Sequence, residues 1–166
     1  MIKLFDPVID SKEKKAIVKV LEGKFWASGS GSGLVSKFEK EFKKYIKSDA
    51  CIGVNSGTAA LNLALSLFNI KNKEVILPSL TFVSTVNAIK YCDAIPHFVD
   101  SETTTLGIDT RKLREYLSEY TEQRSNQCVN KTTGKVISAC VPMNTFGFPC
   151  DIEKIVAICN SYNIPV

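Results

Sequence analysis

Three residues in this chain have the types and spacing to hold a flat, phosphate-bearing ligand: Gly57, Thr58 and Phe82. Gly57 and Thr58 stand in Asn55-Ser56-Gly57-Thr58, between the apolar run Ala50-Cys51-Ile52-Gly53-Val54 and the run Ala59-Ala60-Leu61-Asn62-Leu63-Ala64-Leu65. An apolar run as short as the first reads as a buried strand, and the alanine- and leucine-rich run reads as a helix. A turn of small polar residues that opens a helix leaves the first amides pointing outward, with the helix dipole behind them. That is an anion site suited to phosphate. Phe82 follows a second apolar run, Glu74-Val75-Ile76-Leu77-Pro78, and offers a ring for stacking. Taken alone, Phe82 also reads as a core phenylalanine and Thr58 as a plain helix cap. Pyridoxal phosphate and nucleotides both combine a planar ring with a phosphate tail.

The elements that position these residues follow from the surrounding pattern. Asp10 and Glu13 form a capping pair ahead of Ala16, Ile17, Val20 and Leu21, and Gly23 closes a short amphipathic helix. The stretch Phe25-Trp26-Ala27-Ser28-Gly29-Ser30-Gly31-Ser32-Gly33 reads either as a linker or as a ligand-facing loop. It is not the dinucleotide fingerprint, because its third glycine comes one residue early and no strand precedes it. Val35, Phe38, Phe42, Tyr45 and Ile46 share one helical face, which predicts a core-packing helix.

Further on, residues 74–78, 95–100 and 136–142 read as strands. Residues 79–85 open a helix. Asp109 caps a helix carrying Leu113, Tyr116 and Leu117, and Asp151 caps one with Ile152, Ile155, Val156 and Cys159 facing inward. Residues 118–135 are polar and unpatterned, which predicts a surface loop. This alternation predicts an α/β fold, a mostly parallel sheet between helices. Ligands bind such sheets outside the carboxyl ends of the strands. Those ends carry Asn55 to Thr58, Ser79 to Ser84, Asp100-Ser101 and Met143 to Gly147. The final Ile164-Pro165-Val166 reads as the opening of another strand, so the chain is expected to be a fragment.

Composition narrows the class. The chain has 166 residues, 45% hydrophobic and 23% charged, with net charge +4, which suits one globular domain with a sizeable core. No apolar stretch is long enough to span a bilayer, and the opening residues do not read as a signal peptide. The mild basic excess is spread out and gives no argument for nucleic acid. Six cysteines are scattered at 51, 92, 128, 140, 150 and 159 without a C-x-x-C, beside a single histidine. They read as core residues in a reducing cytosol rather than as a disulfide framework or a metal site.

Asn55-Ser56-Gly57-Thr58-Ala59-Ala60-Leu61, followed by Leu77-Pro78-Ser79-Leu80-Thr81-Phe82-Val83-Ser84-Thr85-Val86-Asn87-Ala88, resembles the DegT/StrS family of sugar aminotransferases. His97-Phe98-Val99-Asp100 and Val141-Pro142-Met143-Asn144-Thr145-Phe146-Gly147 look like the same family. The stretch ending Asn130-Lys131-Thr132-Thr133-Gly134-Lys135 and the closing Cys159-Asn160-Ser161-Tyr162-Asn163-Ile164-Pro165-Val166 resemble its legionaminic-acid-pathway branch.

The resemblance implies an aspartate-aminotransferase-like (type I) fold with pyridoxal 5'-phosphate as cofactor, in a cytoplasmic homodimer with active sites at the subunit interface. It implies transfer of an amino group, typically from glutamate, to a nucleotide-linked keto sugar in surface-polysaccharide or nonulosonic acid biosynthesis. Gly57 and Thr58 would hold the cofactor phosphate and Phe82 would stack on its ring. Residues 1–34 would form an N-terminal helix and Gly/Ser-rich loop near the substrate, and residues 35–166 an incomplete cofactor-binding large domain. The family's aspartate facing the ring nitrogen and its cofactor-bearing lysine fall beyond Val166. No catalytic residue is therefore expected in this stretch, and Lys90 and Lys135 match no family motif. Asn144 and Phe148 stand where relatives often carry histidine. Two alternatives stay open: a pyridoxal-phosphate-dependent deoxysugar dehydratase, in which histidine replaces the lysine, and a non-catalytic phosphate-binding α/β domain. By itself this stretch is expected to be inactive, with an open sheet edge and an uncovered apolar face.

Overall fold

A computed structural model of the protein describes residues 6–23 and 33–166. The Phe25-to-Ser32 stretch therefore lies outside the described residues. The chain forms two compact units, Met1–Gly53 and Val54–Val166.

The first unit contains α1 (Ser11–Glu22) and α2 (Leu34–Ile46). The expected capping box opens α1: the Asp10 carboxylate accepts from the amides of Lys12 and Glu13, and the Glu13 side chain accepts from the Asp10 amide. The core-packing helix expected from Val35, Phe38, Phe42, Tyr45 and Ile46 forms as a helix, but all five side chains are exposed. Helical periodicity fixes which side chains share a face; it does not supply the surface that covers them. Here Phe38 and Phe42 stack with centroids 5.5 Å apart, and Phe42 meets Tyr45 at 6.5 Å.

The strand expected at residues 50–54 does not form. Ile52 is 73% exposed, and the Gly53 amide donates to the Glu39 carboxylate at 2.8 Å instead of to a neighbouring strand. A backbone run becomes a strand only when another edge takes its donors and acceptors.

The second unit holds a three-stranded parallel sheet in the order β2–β1–β5, with β1 (Glu74–Pro78) between β2 (Ile95–Val99) and β5 (Ile137–Cys140). Successive residues of β1 point to opposite faces. Ile76 joins Val99, Ile137 and Cys140 against Leu113 and Leu117 of α5 (Thr110–Tyr120) and Ile155, Ile158 and Cys159 of α6 (Ile152–Ser161). Val75 and Leu77 join Ala139 against Leu65 of α3 (Gly57–Ser66) and Ala88 and Ile89 of α4 (Val83–Tyr91). Helices thus cover both faces, as the continuously apolar strands require. The Cys140 amide donates to the Pro165 carbonyl at 2.8 Å, so the last residues run beside the open edge of β5.

Two further expectations need correction. Ile152 is exposed, and Ile158 takes the inward position on α6. Residues 118–135 are not a plain loop: α5 continues to Tyr120, and β3 (Thr121–Arg124) pairs antiparallel with β4 (Gln127–Asn130). Ser125 and Asn126 turn the hairpin at φ 48° and 65°, the double left-handed pair of a two-residue loop whose twist matches its strands. The signal was Ser-Asn between short polar strands, masked because only Cys128 and Val129 are apolar on β4.

Candidate functional site

The turn before α3 opens a helix as the sequence suggested, through a different capping residue. Ser56, not Thr58, is the cap: its hydroxyl accepts from the Ala59 amide at 3.1 Å, and its carbonyl accepts from the Ala60 amide at 3.0 Å. The Ala60 bond is the first regular bond of the helix, so the Ser56 hydroxyl satisfies one, Ala59, of the four amides that a helix start leaves without internal acceptors. The amides of Gly57 and Thr58 remain without a partner among the described residues. A Cβ built on Gly57 meets no atom within 4 Å, so the Cβ side of this residue is open. Two unsatisfied N–H groups, a glycine and the positive end of a ten-residue helix together suit a phosphate.

Phe82 occupies the cap position of α4, and its ring is 69% exposed. It is therefore not a core phenylalanine. α3 and α4 pack on the same face of the sheet, where Leu61 and Leu65 share a cluster with Val86, Ala88 and Ile89. No hydrogen bond or ring contact among the described residues joins Phe82 to Gly57 or Thr58.

The loops at the carboxyl ends of the strands are stitched together. After β1, the Leu80 amide donates to the Ser101 hydroxyl at 3.3 Å, and the Thr81 hydroxyl donates to Met143 Sδ at 3.3 Å. After β5, the buried Thr145 hydroxyl donates to the Leu106 carbonyl at 3.2 Å, and Asn144 Oδ1 accepts from the Cys150 amide at 3.0 Å. Gly107 fits between these loops, where an added Cβ would lie 2.6 Å from the Cys150 Cβ. Phe146 is held at φ 52° with its ring 78% exposed, and Phe148 is exposed two residues later. Asn144, left open by the sequence, thus bonds within its own loop.

One cluster escaped the sequence reading. Glu74, which opens β1, is buried, and its carboxylate meets Asn130, Thr133 and His97 at the opposite end of the strand from Ser79. The available signal was a charged residue heading an otherwise apolar strand, in a chain with a single histidine. Burial pushes the His97 imidazole below its ordinary pKa, against the opposing pull of Glu74. Burial, with Glu74 and Cys128 nearby, pushes the Tyr116 hydroxyl up.

The model of the DegT/DnrJ/EryC1/StrS aminotransferase family matches residues 7–166. GDP-perosamine synthase of Escherichia coli O157:H7 is 33% identical over 164 residues, covering 98% of this chain and 40% of that protein. The putative pyridoxal phosphate-dependent aminotransferase EpsN of Bacillus subtilis is 32% identical over 166 residues, covering 99% of this chain and 40% of that protein. Among solved structures, E. coli GDP-4-keto-6-deoxy-D-mannose-3-dehydratase with bound hydrated PLP superposes with a TM-score of 0.75 at 26% identity, covering 97% of this chain and 38% of that one. The chain thus spans about 40% of the length of the curated relatives it matches.

Proposed function

The chain belongs to the DegT/DnrJ/EryC1/StrS aminotransferase family, whose members use pyridoxal phosphate, and from that premise we propose that it supplies the cofactor-phosphate cradle of a nucleotide-sugar aminotransferase. The observation that carries the reading is the pair of unpartnered amides at Gly57 and Thr58, first-turn donors left free because the Ser56 hydroxyl caps only Ala59. Those amides, with the Thr58 hydroxyl beside them, bind the phosphate. Phe82, exposed at the start of the adjacent helix, stacks on the pyridine ring. Once bound, the cofactor supplies the electron sink for amino-group chemistry, while protein groups orient it.

The whole enzyme transfers an amino group, from glutamate, to a nucleotide-linked keto sugar in polysaccharide biosynthesis, within the legionaminic-acid branch. Names such as GDP-perosamine synthase among relatives support the substrate class. It is a cytoplasmic homodimer whose sites lie at the subunit interface; the exposed apolar face of α2 supports such a partner surface. In this reading residues 35–166 supply the cofactor-binding part. A second reading, deoxysugar dehydration on the same cofactor, is supported by the likeness to the E. coli 3-dehydratase.

The test is titration of the chain with pyridoxal phosphate, followed by ³¹P NMR and absorbance. Saturable binding that weakens in Gly57→Val and in Phe82→Ala is the expected result; binding indifferent to both substitutions overturns the reading. Assay of the full reading frame with glutamate and a nucleotide-linked keto sugar separates amination from dehydration.

A further inference from the structure

Glu74 is a carboxylate 2% exposed, yet no lysine or arginine among the described residues lies within ion-pair distance of it. A buried carboxylate so placed depends on hydrogen bonds for its compensation. Asn130 Nδ2 donates to Oε2 at 2.9 Å and the Thr133 hydroxyl donates to Oε1 at 2.7 Å. Both donors belong to the segment that leaves β4 and returns to β5. The same segment is closed on itself by Asn130 N–H to Lys135 carbonyl and Gly134 N–H to Asn130 carbonyl, each 2.8 Å. Glu74 therefore ties the β3–β4 hairpin and its exit turn to the central strand.

His97, one strand over on β2, brings Nδ1 to 3.6 Å from Oε2, the oxygen already taken by Asn130. Its ring lies 4.5 Å from Tyr116 of α5, which stacks in turn on Tyr120 at 5.8 Å. The titratable groups facing this point are Glu74 from β1, Tyr116 from α5 and Cys128 from β4; the Tyr116 hydroxyl is buried without a hydrogen-bond partner. Neutral His97 has no charge to offer Glu74. Protonated His97 presents an N–H and a positive charge to Oε2, and closing the 3.6 Å gap to the roughly 2.8 Å of a charge-assisted bond pulls that oxygen toward β2 and lengthens the 2.9 Å bond from Asn130.

We propose that Glu74 and His97 form a proton-operated latch: with His97 neutral, Glu74 holds Asn130 and the hairpin against the sheet, and protonation of His97 draws Oε2 away and frees them. Because burial lowers the His97 pKa, the switch lies below the ordinary histidine value of 6.5. The latch sits at the end of β1 away from the Gly57–Thr58 amides and Phe82, and it stands whether or not the cofactor reading holds.

The experiment is hydrogen–deuterium exchange of the whole chain from about pH 7.5 to about pH 5, the range in which histidines titrate. Rates are corrected for intrinsic pH dependence, and β1 amides serve as the internal reference. Protection of residues 121–135 is expected to fall about tenfold across the transition, the scale of one hydrogen bond to a charged group. Its midpoint must coincide with the His97 ring titration followed by NMR in the same protein. His97→Gln is expected to keep neutral-pH protection and lose the pH response. Unchanged or rising protection in acid, a midpoint apart from that of His97, or a response surviving in His97→Gln overturns the latch.

Discussion

Asn62 and Cys92 exchange two hydrogen bonds across the α3–α4 contact: Asn62 Nδ2 donates to Cys92 Sγ at 3.4 Å, and the Cys92 thiol donates to the Asn62 carbonyl at 3.8 Å. The pair joins the helix that Gly57 and Thr58 open to the helix that Phe82 opens. Asn62→Ala removes the first of these bonds from a half-buried site. A loss of about 1 kcal/mol is expected, read as a lower urea midpoint at unchanged slope.

The phosphate cradle separates stability from binding. Ser56→Ala removes the hydroxyl that accepts from Ala59 and is expected to cost about 1 kcal/mol. Gly57→Val has open space for its side chain within the protein, so stability should change by less than about 1 kcal/mol. Its isopropyl group occupies the volume beside the amides, so pyridoxal phosphate affinity falls. Phe82→Ala, at an exposed position, should leave stability within about 0.5 kcal/mol while weakening the same ligand. Thermal melts with and without pyridoxal phosphate measure both effects.

Gly107 is required by close approach. Alanine there would place its Cβ 2.6 Å from the Cys150 Cβ, and neither atom is the end of a flexible chain. Gly107→Ala is expected to destabilise by about 1–3 kcal/mol, the usual range for overpacking. Gly107→Ala/Cys150→Gly should recover part of that loss, measured by a double-mutant cycle.

Glu102 gives a pH signature. Its carboxylate accepts from the Thr105 hydroxyl and from the amides of Thr104 and Thr105. These bonds, the Thr105 hydroxyl foremost, lower its pKa from 4.5 to about 2. A depressed carboxylate contributes stability above its unfolded pKa and loses it as pH falls through the folded one. The contribution is therefore present above about pH 4.5 and drains away toward pH 2. Thr105→Val is expected to move the Glu102 titration, followed by carboxyl NMR, back up toward 4.5.

Much of the architecture was legible in the chain because local chemistry decided it. The capping carboxylates at Asp10, Asp109 and Asp151 each accept from the amides that follow them. The all-apolar core of β1 demanded cover on both faces and has it. The Ser56-Gly57-Thr58 turn opens a helix as read, since a small polar turn before an alanine-rich run has few other solutions.

Pairing and coverage were decided elsewhere. Residues 50–54 have the composition of a strand, but a strand exists only in a ladder, and the Gly53 amide finds the Glu39 carboxylate instead. Phe38, Phe42 and Tyr45 have the spacing of a buried face, yet burial belongs to the surface that meets them and not to the helix that carries them. The Glu74 cluster draws Asn130 and Thr133 from more than fifty residues away, a distance no local pattern spans. By itself the sequence determined the helix caps at Asp10, Asp109 and Asp151, the polar turn that opens α3 and the apolar strand β1, because those depend on neighbours a few residues apart. Only the tertiary structure decided which edges pair, which faces are covered and what a buried carboxylate holds, because those depend on groups that folding alone brings together.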